Sequence, residues 1–123
     1  MVEYYSEGRG NHMASSREYL DYVLEQLREL DDVSCRPMMG EYVIYYDGKV
    51  VGGVYDDRFL LKITDGVRKL MAENDMEIST EIPYEGAKEM LSADIDDREM
   101  TCEIIRRIAD DLPTPKKKKP KKQ

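Results

Sequence analysis

The chain has 123 residues, a formal net charge of −7 and two cysteines. That length suits one domain. No apolar run approaches the roughly 18–20 residues that span a bilayer, and residues Met1 to Met13 lack the apolar stretch of a secretory signal. Cys35 and Cys102 are far apart and have no metal-ligand spacing, so they read as reduced thiols of a cytoplasmic protein. Six of the 19 basic residues are the tail lysines Lys116, Lys117, Lys118, Lys119, Lys121 and Lys122, which leaves 13 basic against 26 acidic residues in the body. An acidic body cannot offer DNA a wide basic face.

In chain order, residues 1–13 carry no amphipathic period and read as a disordered leader, with Met13 an alternative start just ahead of the first helix signal. Ser15 or Ser16 opens a helix, and Ser15 with Glu18 has capping-box spacing. Leu20, Val23, Leu24, Leu27 and Leu30 then form one apolar stripe. From Cys35 to Thr64 the pattern is a three-strand meander: Tyr42 to Tyr46, Lys49 to Tyr55 and Arg58 to Ile63. Asp47-Gly48 is a two-residue hairpin signal. Gly52-Gly53 suggests a bulge or a close backbone approach.

Thr64 reads as the N-cap of a short helix ending near Asn74. Glu77 to Ile82 fits a strand, while Ala87 to Leu91 favours helix by propensity. Asp96 and Glu99 form a second capping-box-like pair ahead of a helix whose stripe is Met100, Ile104, Ile105, Ile108 and Leu112, and Pro113 stops it. Residues 113–123 are a Lys/Pro tail with nothing to bury, hence disordered. The domain is therefore 14–112, with an α+β architecture in which helices cover an antiparallel sheet.

No catalytic or metal residue stands out, and no cofactor motif is present. The single histidine, His12, lies in the leader, so no base accompanies a Ser or Cys nucleophile in the body. The acidic clusters Asp31-Asp32, Asp56-Asp57, Asp94/Asp96/Asp97 and Asp110-Asp111 fall at element boundaries, where turns and caps explain them. Asp110-Asp111 is the exception, since a last helical turn disfavours acids. Tyr45 and Tyr55 read as packing residues more readily than as a base-stacking platform, which needs a basic groove. Arg36 either pairs with an acidic cluster or anchors a partner, and Met38 and Met39 suit either a core or an adaptable interface.

Arg36-Pro37-Met38-Met39-Gly40, Tyr42, Tyr46-Asp47-Gly48-Lys49 and Leu60-Leu61-Lys62 together resemble the N-terminal domain of the TfoX/Sxy family. The resemblance continues through Pro83-Tyr84-Glu85-Gly86-Ala87-Lys88-Glu89-Met90 and the Leu112 to Lys116 ending. It implies an α-β(3)-α-β(2)-α two-layer fold similar to secretion chaperones, with helices on one face and residues 87–92 as a strand. It also implies a non-enzymatic regulatory module of the competence-coactivator type. Its partner would be a transcription factor, another protein or a second copy. The motif residues Arg36, Met38, Met39, Gly40, Tyr42, Asp47, Gly48 and Lys62 become the interaction candidates. Full-length competence regulators carry a second domain where this chain has its Lys/Pro tail. The alternative is a nucleic-acid accessory protein, whose tail lysines would attract phosphate weakly and without sequence preference.

Overall fold

The computed structural model describes residues 16–113. The chain forms helix α1 (Arg17–Gln26), strands β1 (Val33–Met38), β2 (Glu41–Tyr46), β3 (Lys49–Tyr55) and β4 (Arg58–Leu61), helix α2 (Asp65–Glu73), strands β5 (Thr80–Glu81) and β6 (Met90–Ser92), and helix α3 (Arg98–Asp111). The six strands make one antiparallel sheet in the order β1-β2-β3-β4-β6-β5. The fold is α+β, as expected, with one strand more than the α-β(3)-α-β(2)-α order implied. The extra strand is β1. It shows only Val33 and Cys35 as half-buried residues, and it holds Pro37. An edge strand with so little to bury carries a faint apolar alternation.

Local chemistry sets the boundaries. Ser16, not Ser15, is the N-cap of α1, and its hydroxyl accepts from the Tyr19 amide at 3.0 Å. Thr64 caps α2 by the same device, accepting from the Val67 amide. Asp97 rather than Asp96 caps α3. Asp96 instead accepts a hydrogen bond from the Tyr22 hydroxyl, tying α1 to the α3 entrance. The predicted strand over Glu77 to Ile82 shortens to Thr80–Glu81, and the segment after Pro83 does end in a strand, Met90–Ser92, against its helical propensity.

Three hairpins in succession turn on two residues with positive φ: Met39-Gly40, Asp47-Gly48 and Asp56-Asp57. Type I′ turns need that conformation at both centres. Between Ile44 and Tyr45 the register slips, leaving Val51 as the extra residue of a bulge in β3. Gly53 beside it sits under an aromatic ring: a Cβ there would lie 2.8 Å from the Tyr55 ring and 2.6 Å from the Tyr42 carbonyl oxygen.

Strand alternation sorts the sheet into two faces. Ile44, Val51, Val54, Phe59, Leu61 and Leu91 join Leu20, Val23 and Leu27 of the α1 segment, Val67 and Leu70 of α2, and Ile104, Ile105 and Ile108 of α3 in one core cluster. All three helices thus serve one face. Two polar contacts lock them there. The Lys49 ammonium donates to the Ala109 carbonyl at 2.8 Å, neutralising the C-terminal end of α3. Asp111 accepts from the Gly66 amide at 2.7 Å. This explains the acid that the sequence left without a reason. It terminates α3 unfavourably but caps the positive end of α2, and a hydrogen bond from Thr64 and the Gly66 amide lower its pKa.

Candidate interaction surface

Among the described residues, no helix covers the opposite face of the sheet. In register across it run Arg36, Val43, Gly53, Leu60 and Ser92, one per strand from β1 to β6. The next row toward the β1–β2 turn holds Met38 and Glu41, then Tyr55 and Arg58. Val43, Tyr55 and Leu60 are buried on this face, yet stand outside the helix-side core cluster.

What shields them is aromatic and local. The Tyr55 ring folds back over Gly53. The Tyr84 ring lies 6.4 Å from it, centroid to centroid, tilted by 58°. Burial raises the Tyr55 pKa, with the neighbouring Tyr84 and Glu41 adding to the shift, so this hydroxyl stays protonated well above neutrality. Arg58 ties the Tyr84 segment down. Its Nε donates to the Tyr55 carbonyl (3.0 Å), Nη1 to Glu81 Oε1 (2.7 Å) and the Ile82 carbonyl (3.3 Å), and Nη2 to the Pro83 carbonyl (3.2 Å). Glu81 also accepts from the Ser92 hydroxyl, and the bond from Arg58 draws its pKa down.

The motif candidates divide. Arg36, Met38, Met39 and Gly40 lie together at one corner of the helix-free face, formed by β1 and its turn. The Arg36 guanidinium sits 5.8 Å from the Tyr45 ring centroid, a cation–π contact that neither sequence expectation, an acidic cluster or a partner, had named. Tyr42 packs against the helix-side core instead. Asp47 and Gly48 form the hairpin at the far end of the sheet, beside the Lys49 contact with α3. Lys62 follows β4, its amide bonded to the Val51 carbonyl. The tail lysines, Lys116 to Lys119, Lys121 and Lys122, lie outside the described residues, as does the leader.

Sequence reading passed over Arg58, Glu81 and Ile82. The signal for them was indirect: Pro83-Tyr84-Glu85-Gly86 is a loop motif, and a loop needs something to anchor it. The structure brings Tyr84 of this motif against Tyr55, on the helix-free face that Met38 also lines. Among the described residues six large apolar side chains are exposed, and Met38, Met39, Ile82 and Tyr84 are four of them. Met39 is the extreme case, 95% exposed at φ 54°. A non-glycine residue pays about 1–2 kcal/mol for that backbone region, and Met39 recovers little of it by packing.

The open edge of β1 is poorly suited to pairing. The Asp47 amide bonds the Asp32 carbonyl (2.9 Å), which sets the alternation of the β1–β2 ladder. Val33, Cys35 and Pro37 therefore point their backbone groups outward, and Pro37 has no amide to offer there. Contact on this side of the molecule falls to the face and its rim.

A cleft of about 340 Å³ lies elsewhere, between α2, β6 and the start of α3, over Met71, Leu91, Met100 and Ile104. Three of its polar residues are already engaged: Asp97 caps α3, the Asp94 carboxylate accepts from the Asp96 amide, and the Thr101 hydroxyl donates to the Asp94 carbonyl. Among the described residues no group of three or more His, Cys, Asp or Glu side chains could hold a metal ion, and no helix is long and apolar enough to cross a membrane.

Comparison with known proteins agrees with the motif pattern. The profile of the TfoX N-terminal domain matches residues 25–106. An uncharacterized 12.7 kDa protein from the trpE 5′ region of Spirochaeta aurantia is 39% identical over 111 residues, covering 89% of this chain and 93% of that protein. The matched span runs from the end of α1 through most of α3 and takes in the whole sheet. On both grounds, the chain belongs to the TfoX N-terminal domain family.

Proposed function

We propose that this domain is a non-catalytic regulatory module that works by contacting another protein, in the manner of a competence-type coactivator. The observation that carries the reading is the exposed pair Met38 and Met39 at the β1–β2 turn, with Tyr84 exposed against Tyr55 farther across the helix-free face. Clustered exposed apolar groups mark contact sites more often than scattered ones. Methionine suits such a site, because its flexible thioether adapts to a partner's contour. The Arg36–Tyr45 pair at the margin adds residue types enriched at binding hot spots. Among the described residues, the polar side chains of Asp111, Asp97 and Thr64 serve as helix caps.

The test is site-specific photo-crosslinking in cells of the source organism. A photoreactive phenylalanine analogue at position 39 should yield a discrete higher-mass adduct. The same group at position 28, on the exposed side of the α1 end, should not. Identical adduct patterns from the two positions would refute a dedicated surface.

A further inference from the structure

The surface draws on two segments that flank opposite edges of the sheet. Met38 and Met39 belong to a hairpin whose backbone is fixed by β1–β2 pairing. Ile82 and Tyr84 belong to the connection between β5 and β6, and β5 has only two residues of ladder. Residues 82–89 cross from one strand to the next with a single backbone bond of their own, from the Ala87 amide to the Tyr84 carbonyl at 3.1 Å. Left to that, the segment would have little reason to lie against Tyr55.

We propose that Arg58 is the positioning residue of this surface: its guanidinium fork latches the Glu81–Pro83 segment to the β3–β4 turn and so holds Tyr84 against Tyr55 on the helix-free face. The inference rests on the interaction reading given above and adds to it the device that assembles the site. Four acceptors converge on one side chain, three of them backbone carbonyls. The planar guanidinium can serve them together because its five donors are fixed in a fork. A lysine in its place would keep the charge but could not span Tyr55, Glu81, Ile82 and Pro83 at once. Glu81 completes the latch from the other side, held by Ser92 on β6. The Ile82 and Pro83 carbonyls face a cation, so losing it leaves two acceptors to water and frees the segment. The latch is also partly exposed, with the Arg58 side chain 31% accessible. A partner that touches this rim could therefore stiffen or release it.

The experiment follows backbone amide exchange in the full chain with Arg58→Ala and Arg58→Lys. Exchange at Ala87, whose amide makes the segment's own backbone bond, should accelerate at least about tenfold in the alanine variant, since the turn loosens with the latch and hydrogen bonds to a charged donor exceed the strength of neutral ones. The lysine variant should fall between the two. Amides of α1 and α3 should stay within about twofold of the parent, because none of their bonds involve the latch. In the same variants, crosslinking from position 84 should drop while crosslinking from position 39 persists. Unchanged exchange at Ala87, full rescue by lysine, or a uniform rise across the chain would each overturn the latch. Should Arg58→Ala fail to fold, Glu81→Gln carries the same local readout with a smaller rise. If the parent chain yields no adduct from either position, the interaction reading fails, and the exchange result still decides the latch.

Discussion

Leu61 and Leu60 are adjacent in β4 and both fully buried, but different things bury them. Leu61 faces three helices and belongs to the continuous core. Leu60 faces the helix-free side, where Val43, the Tyr55 ring and the Arg58-anchored segment form a thin cover. One face is sealed by regular elements with many partners. The other is sealed by a tyrosine lying on a glycine and by a loop on a latch. The comparison teaches that burial alone does not report rigidity: the thin cover can be displaced locally, whereas the helix side opens only with the whole domain.

The largest predicted effect separates the two. Leu61→Ala should cost about 3–5 kcal/mol in urea unfolding, because the cavity is walled by packed helices that cannot close over it. Leu60→Ala should cost only about 2–3 kcal/mol, since Tyr55 and the loop can settle into the space. Equal costs, or the reverse order, would show that the open face is as firmly packed as the core.

A smaller effect contrasts two carboxylates, one on each side. Asp111 ties α3 to α2, and Glu81 anchors the latch; both have pKa values below the ordinary carboxylate level, Asp111 chiefly through a hydrogen bond from Thr64 and Glu81 chiefly through Arg58. A depressed folded-state pKa gives stability that is fully present above the unfolded-state value, near 4. It is lost as pH falls through the folded value. Asp111→Asn should therefore lower thermal stability at pH 7 and converge with the parent as the pH falls through the depressed folded-state value. Glu81→Gln should leave the global transition nearly unchanged and loosen residues 82–88 alone. Gly66→Ala should mimic the Asp111 change, because the added Cβ would meet the Asp111 carboxylate at 2.4 Å. If Glu81→Gln depresses the melting temperature as much as Asp111→Asn, the two faces are energetically one unit.

How far the sequence could be read follows the same division. Helix stripes, the Thr64 cap and the Asp47-Gly48 hairpin were legible, because each is a local pattern with a local cause. The purpose of Asp111 was not, since its partner Gly66 lies 45 residues away and only packing brings them together. The edge strand β1 escaped notice because it buries little. The motif residues were found as a group, but their unity was one of sequence: Tyr42 points to the core, and Asp47 and Gly48 serve the opposite end. Arg58 stayed hidden for the converse reason. Its acceptors are mostly main-chain carbonyls, which no side-chain pattern can announce.

The smallest predicted effect is the most specific to the open face. Met39 holds positive φ at a hairpin tip with almost its whole side chain in water. Asparagine tolerates that region better, so Met39→Asn should stabilise the domain, by about 0.5–1 kcal/mol. The same change removes the most exposed large apolar group among the described residues. It should therefore weaken adduct formation from a crosslinker placed at Tyr84 even as the melting temperature rises. A residue kept only for the hairpin would gain stability on replacement at no cost. A residue kept for contact shows the opposed pair of changes, the signature of a site whose strain is tolerated for function. Stabilisation with undiminished crosslinking would assign Met39 to neither role and move the contact surface inward, toward Arg36 and Tyr45.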